Sequence, residues 1–225
     1  MPKLIECIPN FSEGKDRNII DGLVNTIKNI KGVTLLNYSS DVNHNRTGIT
    51  FMGDEKSVVD GAFSLIKYAT EHIDMNNHEG GHPRMGATDV CPFVPLKSIT
   101  TEECVELAHQ LAKKVNDELD VPIFLYEDAT SDPSRVNLAD VRRGEFEGMA
   151  EKLKEDDWAP YYGSRDVHPT AGVTAIGVRK PLVAFNVNLD TDDVSIAKKL
   201  PKRFVVLQVV INTLKQSDYF LKMKI

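Results

Sequence analysis

LIECIPNFSEGKDRNIIDGLVNTIKNI, running from Leu4 to Ile30, decides the fold class, because its apolar period changes once along its length. Leu4 to Ile8 is a strand-length run, whereas Ile19, Ile20, Leu23, Val24, Ile27 and Ile30 recur at helical spacing. A strand followed by an amphipathic helix is a unit of layered sheet-and-helix folds. Outward from it the alternation continues. Val33 to Leu36 and Thr47 to Met52 read as strands, and Val58, Val59, Ala62, Leu65, Ile66 and Ala69 mark a second helix after Asp54. Cys91 to Leu96 reads as a strand that Pro92 and Pro95 confine to a sheet edge or an extended segment. Thr100 and Glu103 form a capping-box pair ahead of Cys104, Leu107, Ala108, Leu111, Ala112 and Val115 at helical spacing. Val121 to Leu125 supplies another strand, Leu138 to Leu153 a helix, and Gly172 to Val178 and Leu182 to Leu189 two β-rich runs. The order predicts an α/β (α+β) fold, a mixed β-sheet covered by helices.

The 225 residues suit one large domain or two small ones. Hydrophobic residues make up 41% and charged residues 27%, with no low-complexity run, as in a soluble globular protein. Apolar stretches are strand-length and no signal-peptide pattern opens the chain, so no membrane association is expected. Cys7, Cys91 and Cys104 lie far apart without metal-ligand spacing, and their odd number argues against a disulfide framework; a reducing cytoplasm is the expected location. A net charge of -6 with interspersed signs repels a polyphosphate backbone on average, which argues against nucleic acid as a partner.

Two stretches break the regularity, His72 to Val90 and Asp156 to Gly172, both rich in Gly, Pro, His, Arg and acids. Loops of this length inside a domain tend to carry function. In the first, His78, Glu79, Gly80, Gly81 and His82 spell H-E-x-x-H, a zinc-hydrolase string whose mechanism needs a helix. Gly80 and Gly81 each cost about 1 kcal/mol in a helix relative to Ala, and Pro83 biases His82 away from helical backbone. The alternative is an extended loop presenting His82, Arg84 and Asp89 at a cleft, with His82 suited to proton removal and Arg84 to holding a substrate carboxylate.

CIPNFSEG at Cys7 to Gly14, HNRT at His44 to Thr47 and HPRMGATDVCPF at His82 to Phe93, followed by RRGEFE at Arg142 to Glu147, WAP at Trp158 to Pro160 and AFNVNL at Ala184 to Leu189, resemble the motifs of the formiminotransferase domain in family order. That family includes glutamate formimidoyltransferases and the N-terminal part of formiminotransferase-cyclodeaminases. The resemblance implies a catalytic subdomain over residues 1–180, the beginning of a second α/β subdomain over 181–200, and transfer of a formimino group from N-formimino-L-glutamate to tetrahydrofolate in histidine breakdown. It implies tetrahydrofolate as acceptor substrate, no metal, and a homodimer. His82 corresponds to the family's general base. The family's folate-binding loop matches Gly163, Ser164, Arg165, Asp166, Val167, His168, Pro169, Thr170, Ala171 and Gly172, whose terminal glycines would let backbone approach a flat pterin. Many members carry Glu directly before the catalytic histidine. Here Gly81 stands in that place; if that carboxylate orients the imidazole, Glu79 would have to substitute. Tyr161 and Tyr162 stand where the mammalian type has Asp and Phe, and Ser164 replaces a Pro. Rival readings are a non-catalytic folate- or anion-binding protein that keeps the fold, and a zinc hydrolase using His78 and His82.

The resemblance stops near Leu200. Residues 201–225, PKRFVVLQVVINTLKQSDYFLKMKI, form a non-family tail. With the codons shifted by two bases the tail can be read KAIRCSTGGYKYIKAIG, which resembles the family's continuation. The expected origin is a single-base insertion or two-base deletion near the codon for Leu200, impairing activity by truncating the second subdomain. Sequencing the gene across that codon checks this; third positions that forbid the shifted reading would overturn it.

Overall fold

The computed structural model describes residues 2–181 and, beyond them, the backbone of two strands, 207–210 and 220–223. The chain divides into two compact units, Met1–Arg179 and Lys180–Ile225. The expected run Leu182 to Leu189 and most of the expected second subdomain and tail fall outside the described residues.

In the first unit the elements follow in the order β1 (Leu4–Cys7), β2 (Asn10–Phe11), α1 (Arg17–Lys28), β3 (Val33–Asp41), β4 (Arg46–Gly53), α2 (Glu55–His72), β5 (Thr88–Lys97), α3 (Thr101–Leu119), β6 (Ile123–Glu127), α4 (Leu138–Val141), α5 (Glu145–Lys152) and β7 (Thr174–Val178). They build one seven-stranded mixed sheet. β3 pairs with β4, and β1 and β2 together fill one line between β4 and β5, all antiparallel. β7 then pairs parallel with both β5 and β6. In the second unit, β8 (Leu207–Val210) pairs antiparallel with β9 (Phe220–Met223).

The three long helices start where their caps dictate. Asp16 accepts from Asn18 N ahead of α1, Asp54 and Ser57 form a capping box on α2, and Thr100 and Glu103 form the expected one on α3. Their apolar stripes, including Leu23 and Ile27 of α1, Ile66 of α2 and Leu111 of α3, pack with Ile5, Phe51, Cys91, Phe93 and Leu125 on one face of the sheet. A smaller cluster covers the opposite face of the parallel half. There Val141, Met149 and Leu153 meet Val90, Phe124, Tyr126 and Ala175. The alternation of Ile123 and Leu125 with Phe124 and Tyr126 between the two clusters follows from the period of two in a strand.

Two expectations are corrected. β5 is a central strand, not an edge, and its prolines are accommodated by local gaps in the ladders. Pro92 lies opposite Ile8, between the pairs Cys7↔Phe93 and Asn10↔Val90, where β1 gives way to β2. Ile8 N still donates to Pro92 O at 3.1 Å, and the Ile8 carbonyl, which a proline cannot serve, accepts from Asn10 Nδ2 at 3.0 Å. Pro95 lies beyond the last β5–β7 pair, Phe93↔Val178. The second correction is the helix expected from Leu138 to Leu153, which is broken into α4 and α5. Gly144, at φ +93°, and Glu145, at φ +54°, turn the chain between them. The glycine inside that stretch was the local signal for a break.

The two irregular stretches are laced together by backbone. Ala87 N donates to Ala171 O at 2.9 Å and Val173 N to Met85 O at 3.0 Å. A Cβ on Gly86 would stand 2.1 Å from Val173 O and 2.7 Å from Ala171 O, so the approach requires glycine. Gly86→Ala is therefore expected to lower the unfolding free energy by about 2 kcal/mol or more. A urea midpoint equal to that of the parent chain would refute the close approach.

Candidate functional site

Asp89, the second residue of β5, has no solvent exposure and faces two guanidiniums. Arg46, the first residue of β4, places Nη1 2.7 Å from Oδ2, while Arg142, which caps α4 just past its end, donates Nε to Oδ1 at 3.2 Å and Nη2 to Oδ2. Met85 N also donates to Oδ1 at 3.2 Å. Asn10 completes the arrangement by accepting from Arg46 Nε at 3.1 Å, so the arginine reaches across β2 to its carboxylate. Burial would by itself raise the Asp89 carboxyl, but the two guanidiniums outweigh it and hold it down at about 2. One carboxylate shared by two guanidiniums leaves a surplus positive charge.

His82 lies against this charge. Its Nδ1 is 2.7 Å from Pro83 O, and a carbonyl only accepts, so Nδ1 carries the proton and Nε2 keeps its lone pair. Burial, then Arg46 and Arg142, push the imidazole down to about 3, and it is neutral at physiological pH. The ring of His44 stands edge-on at 6.1 Å between centroids. The Pro83 carbonyl, not the Glu79 carboxylate, is the group bonded to the imidazole. Glu79 is exposed, and its backbone oxygen accepts from Lys15 Nζ and Asn45 Nδ2, each at 3.0 Å.

Arg84 spends its donors within the fold. Its Nη1 and Nη2 grip the two Glu147 oxygens at 2.8 and 2.6 Å, Nη1 also reaches Glu145 Oε2 at 2.9 Å, and Nε donates to His78 Nδ1 at 3.1 Å. A guanidinium with its donors committed in this way is a brace for the α4–α5 turn, not a free anchor for a substrate carboxylate. From the other side Lys152 pins the same turn. Its Nζ donates to Asp140 O at 2.6 Å and Val141 O at 2.7 Å and lies 3.7 Å over the Trp158 ring, and burial pushes it down to about 8. The stretch from His78 to His82 is not helical, which removes the geometry that the zinc motif needs.

The loop from Gly163 to Gly172 is anchored at both ends. Tyr162 OH bonds His109 Nδ1 at 2.9 Å and Tyr161 OH bonds Thr130 Oγ1 at 2.8 Å, so these tyrosines tie the entry to its surroundings. Arg165 donates to Lys154 O at 3.0 Å, and the His168 ring accepts from Ala171 N at 2.9 Å. Thr170 O accepts from Met75 N at 2.8 Å. Ser164, Arg165 and Asp166 are exposed, Val167 and His168 half-buried, Pro169 exposed and Ala171 buried. Gly172, at φ +71°, sits where a Cβ would meet Met85 O at 2.4 Å.

Arg46, Arg142 and Asn10 each fall within a quoted motif, yet sequence reading gave them no role. A long-range charge partner leaves no local trace.

The unfolded carboxyl of Asp89 titrates near 3.8 and the folded one near 2, so the unfolded state binds more protons between those values. The resulting stability is complete above about pH 4 and is lost as pH falls through about 2. Asp89→Asn is expected to cost about 3–5 kcal/mol, because two buried guanidiniums lose their counter-charge, and to flatten acid unfolding in that window. Equal acid sensitivity of variant and parent, followed by circular dichroism, would contradict this.

Comparison with known proteins adds four findings. Residues 4–179 match the family described as "Formiminotransferase domain, N-terminal subdomain". A glutamate formimidoyltransferase of Streptococcus pyogenes serotype M1 is 64% identical over 202 residues, covering 90% of this chain and 68% of that protein. A formimidoyltransferase-cyclodeaminase of Dictyostelium discoideum is 47% identical over 84% of this chain and 35% of its own length, and a glutamate formimidoyltransferase of Thermoplasma acidophilum is 43% identical over 98% of this chain and 73% of its own.

Proposed function

Because the chain belongs to the formiminotransferase family, matching its N-terminal subdomain, we propose that it transfers the formimino group of N-formimino-L-glutamate to tetrahydrofolate, with His82 as general base. The reading is carried by one observation: a neutral imidazole with Nδ1–H bound to Pro83 O and Nε2 left as acceptor, beside a cluster with surplus positive charge. The folate N5 nitrogen attacks the formimino carbon and His82 Nε2 takes its proton. The tetrahedral intermediate then collapses, the bond from carbon to the glutamate nitrogen breaks, and the proton passes to the leaving amine. Arg46 and Arg142, in place of Arg84, supply donors for a donor carboxylate or the intermediate. The segment from Gly163 to Gly172, laced to the His82 loop through Ala171 and Val173, holds the folate.

An imidazole at about 3 is a weak base, and the same two arginines that depress it are the proposed anion anchors. A bound carboxylate would screen them and raise His82 toward the range useful for general base catalysis. The acid limb of kcat is thus expected at higher pH than that of kcat/KM, since the first reports the complex and the second the free enzyme. Coincident limbs would argue against this coupling.

The test of the activity is tetrahydrofolate-dependent loss of N-formimino-L-glutamate by this chain and by His82→Ala. The variant is expected to lose about a hundredfold or more in kcat. Turnover indifferent to the substitution would remove His82 as base. Folate binding without turnover would favour the non-catalytic reading. Extending the family analogy, the proposal includes a homodimer working in the cytoplasm, which sedimentation of the purified chain and fractionation of its source cells would check.

A further inference from the structure

His78 heads the H-E-x-x-H string and takes no part in the chemistry proposed above, yet it is buried and bonded at both ring nitrogens. Nε2 is 3.0 Å from Asn45 O, and Nδ1 is 3.1 Å from Arg84 Nε. A backbone carbonyl only accepts and an arginine only donates. His78 is therefore neutral and held as the Nε2–H tautomer.

Its two partners lead to the two turns that flank the charged cluster. Asn45 is buried, adjoins Arg46 and sits at φ +48°, a left-handed conformation that costs a non-glycine residue about 1 kcal/mol or more. Its side chain is fastened to Gly14 N at 2.8 Å and to Glu79 O at 3.0 Å. Arg84 grips Glu145 and Glu147, and its carbonyl accepts from Phe146 N at 2.9 Å, which holds the turn carrying Arg142. The chain of contacts Asn45–His78–Arg84–Glu145/Glu147 thus spans the same two turns as Arg46–Asp89–Arg142.

We propose that His78 is a positioning residue: as a neutral Nε2–H imidazole it sets the spacing of the turns that present Arg46 and Arg142 to His82. The functional consequence rests on the transferase reading; the geometric one does not. Protonation would turn an N–H against the Arg84 Nε–H and open the contact. Burial holds the His78 pKa below its usual value and Arg84 and Lys15 add to that, while the hydrogen bond to Asn45 O and the charge of Glu13 oppose it; Glu147 faces it through Arg84. The string that resembles a metal site serves here as a brace.

The test uses the full chain with its histidine rings observed by long-range proton–nitrogen NMR, alongside steady-state kinetics. The parent is expected to show His78 with Nδ1 unprotonated at neutral pH; an Nδ1–H or charged ring there would overturn the proposal without any variant. His78→Leu, which removes the acceptor for Arg84, is expected to let the arginines retreat. That raises the His82 titration midpoint and lowers kcat/KM about tenfold to a hundredfold, mainly through KM. His78→Asn, which restores an acceptor near the Nδ1 position but cannot be protonated, is expected to return both to near the parent values. An unchanged His82 titration in His78→Leu, or equal shifts in both variants, would overturn the proposal. If the parent proves inactive toward N-formimino-L-glutamate, the transferase reading fails while the His82 titrations still decide the role of His78.

Discussion

The Asp89 carboxylate, buried between Arg46 and Arg142, is the contact on which the site depends. It joins the start of β4, the start of β5 and the turn after α4, and its Oδ1 also accepts from Met85 N in the loop that carries His82. A buried ion pair adds little net stability, because desolvation of the charges offsets most of their attraction. Its effect here is geometric. The carboxylate admits only arrangements in which both guanidiniums converge, and convergence of two cations on one anion leaves the positive charge that lowers the basicity of His82.

The surroundings hold that arrangement from several directions. Asn45, next to Arg46, and Glu145, three residues after Arg142, are both at positive φ; the Asn45 side chain bonds Gly14 N and Glu79 O, and Arg84 bonds the Glu145 carboxylate. Strained residues persist only where neighbours over-determine them, and they collect at sites where position matters. Lys152 secures the α4–α5 turn from below by converging on its carbonyls, and Arg84 secures it from above. Backbone bonds between Met85 to Ala87 and Ala171 to Val173 bring the two irregular stretches into one surface.

Most of the architecture was legible from local pattern. The strand at Leu4, the helices after Asp16, Asp54 and Thr100, and the strands of β4, β6 and β7 follow from apolar period and caps, which depend on neighbours a few residues apart. The failures have the opposite character. Pro92 is tolerated in a central strand because an interruption in another strand happens to face it, and the turn at Gly144, though marked by its glycine, is held by Arg84 from the loop before β5. Among the candidate residues, motif and composition pointed to His82, Arg84 and the loop from Gly163, but not to the bonds that tie Arg84 to Glu147 from 63 residues away.

By itself the sequence determined the layered sheet-and-helix fold and the two irregular segments that interrupt it, since hydrophobic period, caps and glycine-rich loops are written over short spans. Only the tertiary structure decided which charges meet. Arg46 and Asp89 are 43 residues apart and Asp89 and Arg142 are 53, and no local regularity encodes a pairing over such distances. The same holds for the protonation of His82 and His78. An imidazole takes its tautomer and basicity from the atoms packed around it, and those atoms arrive from other parts of the chain.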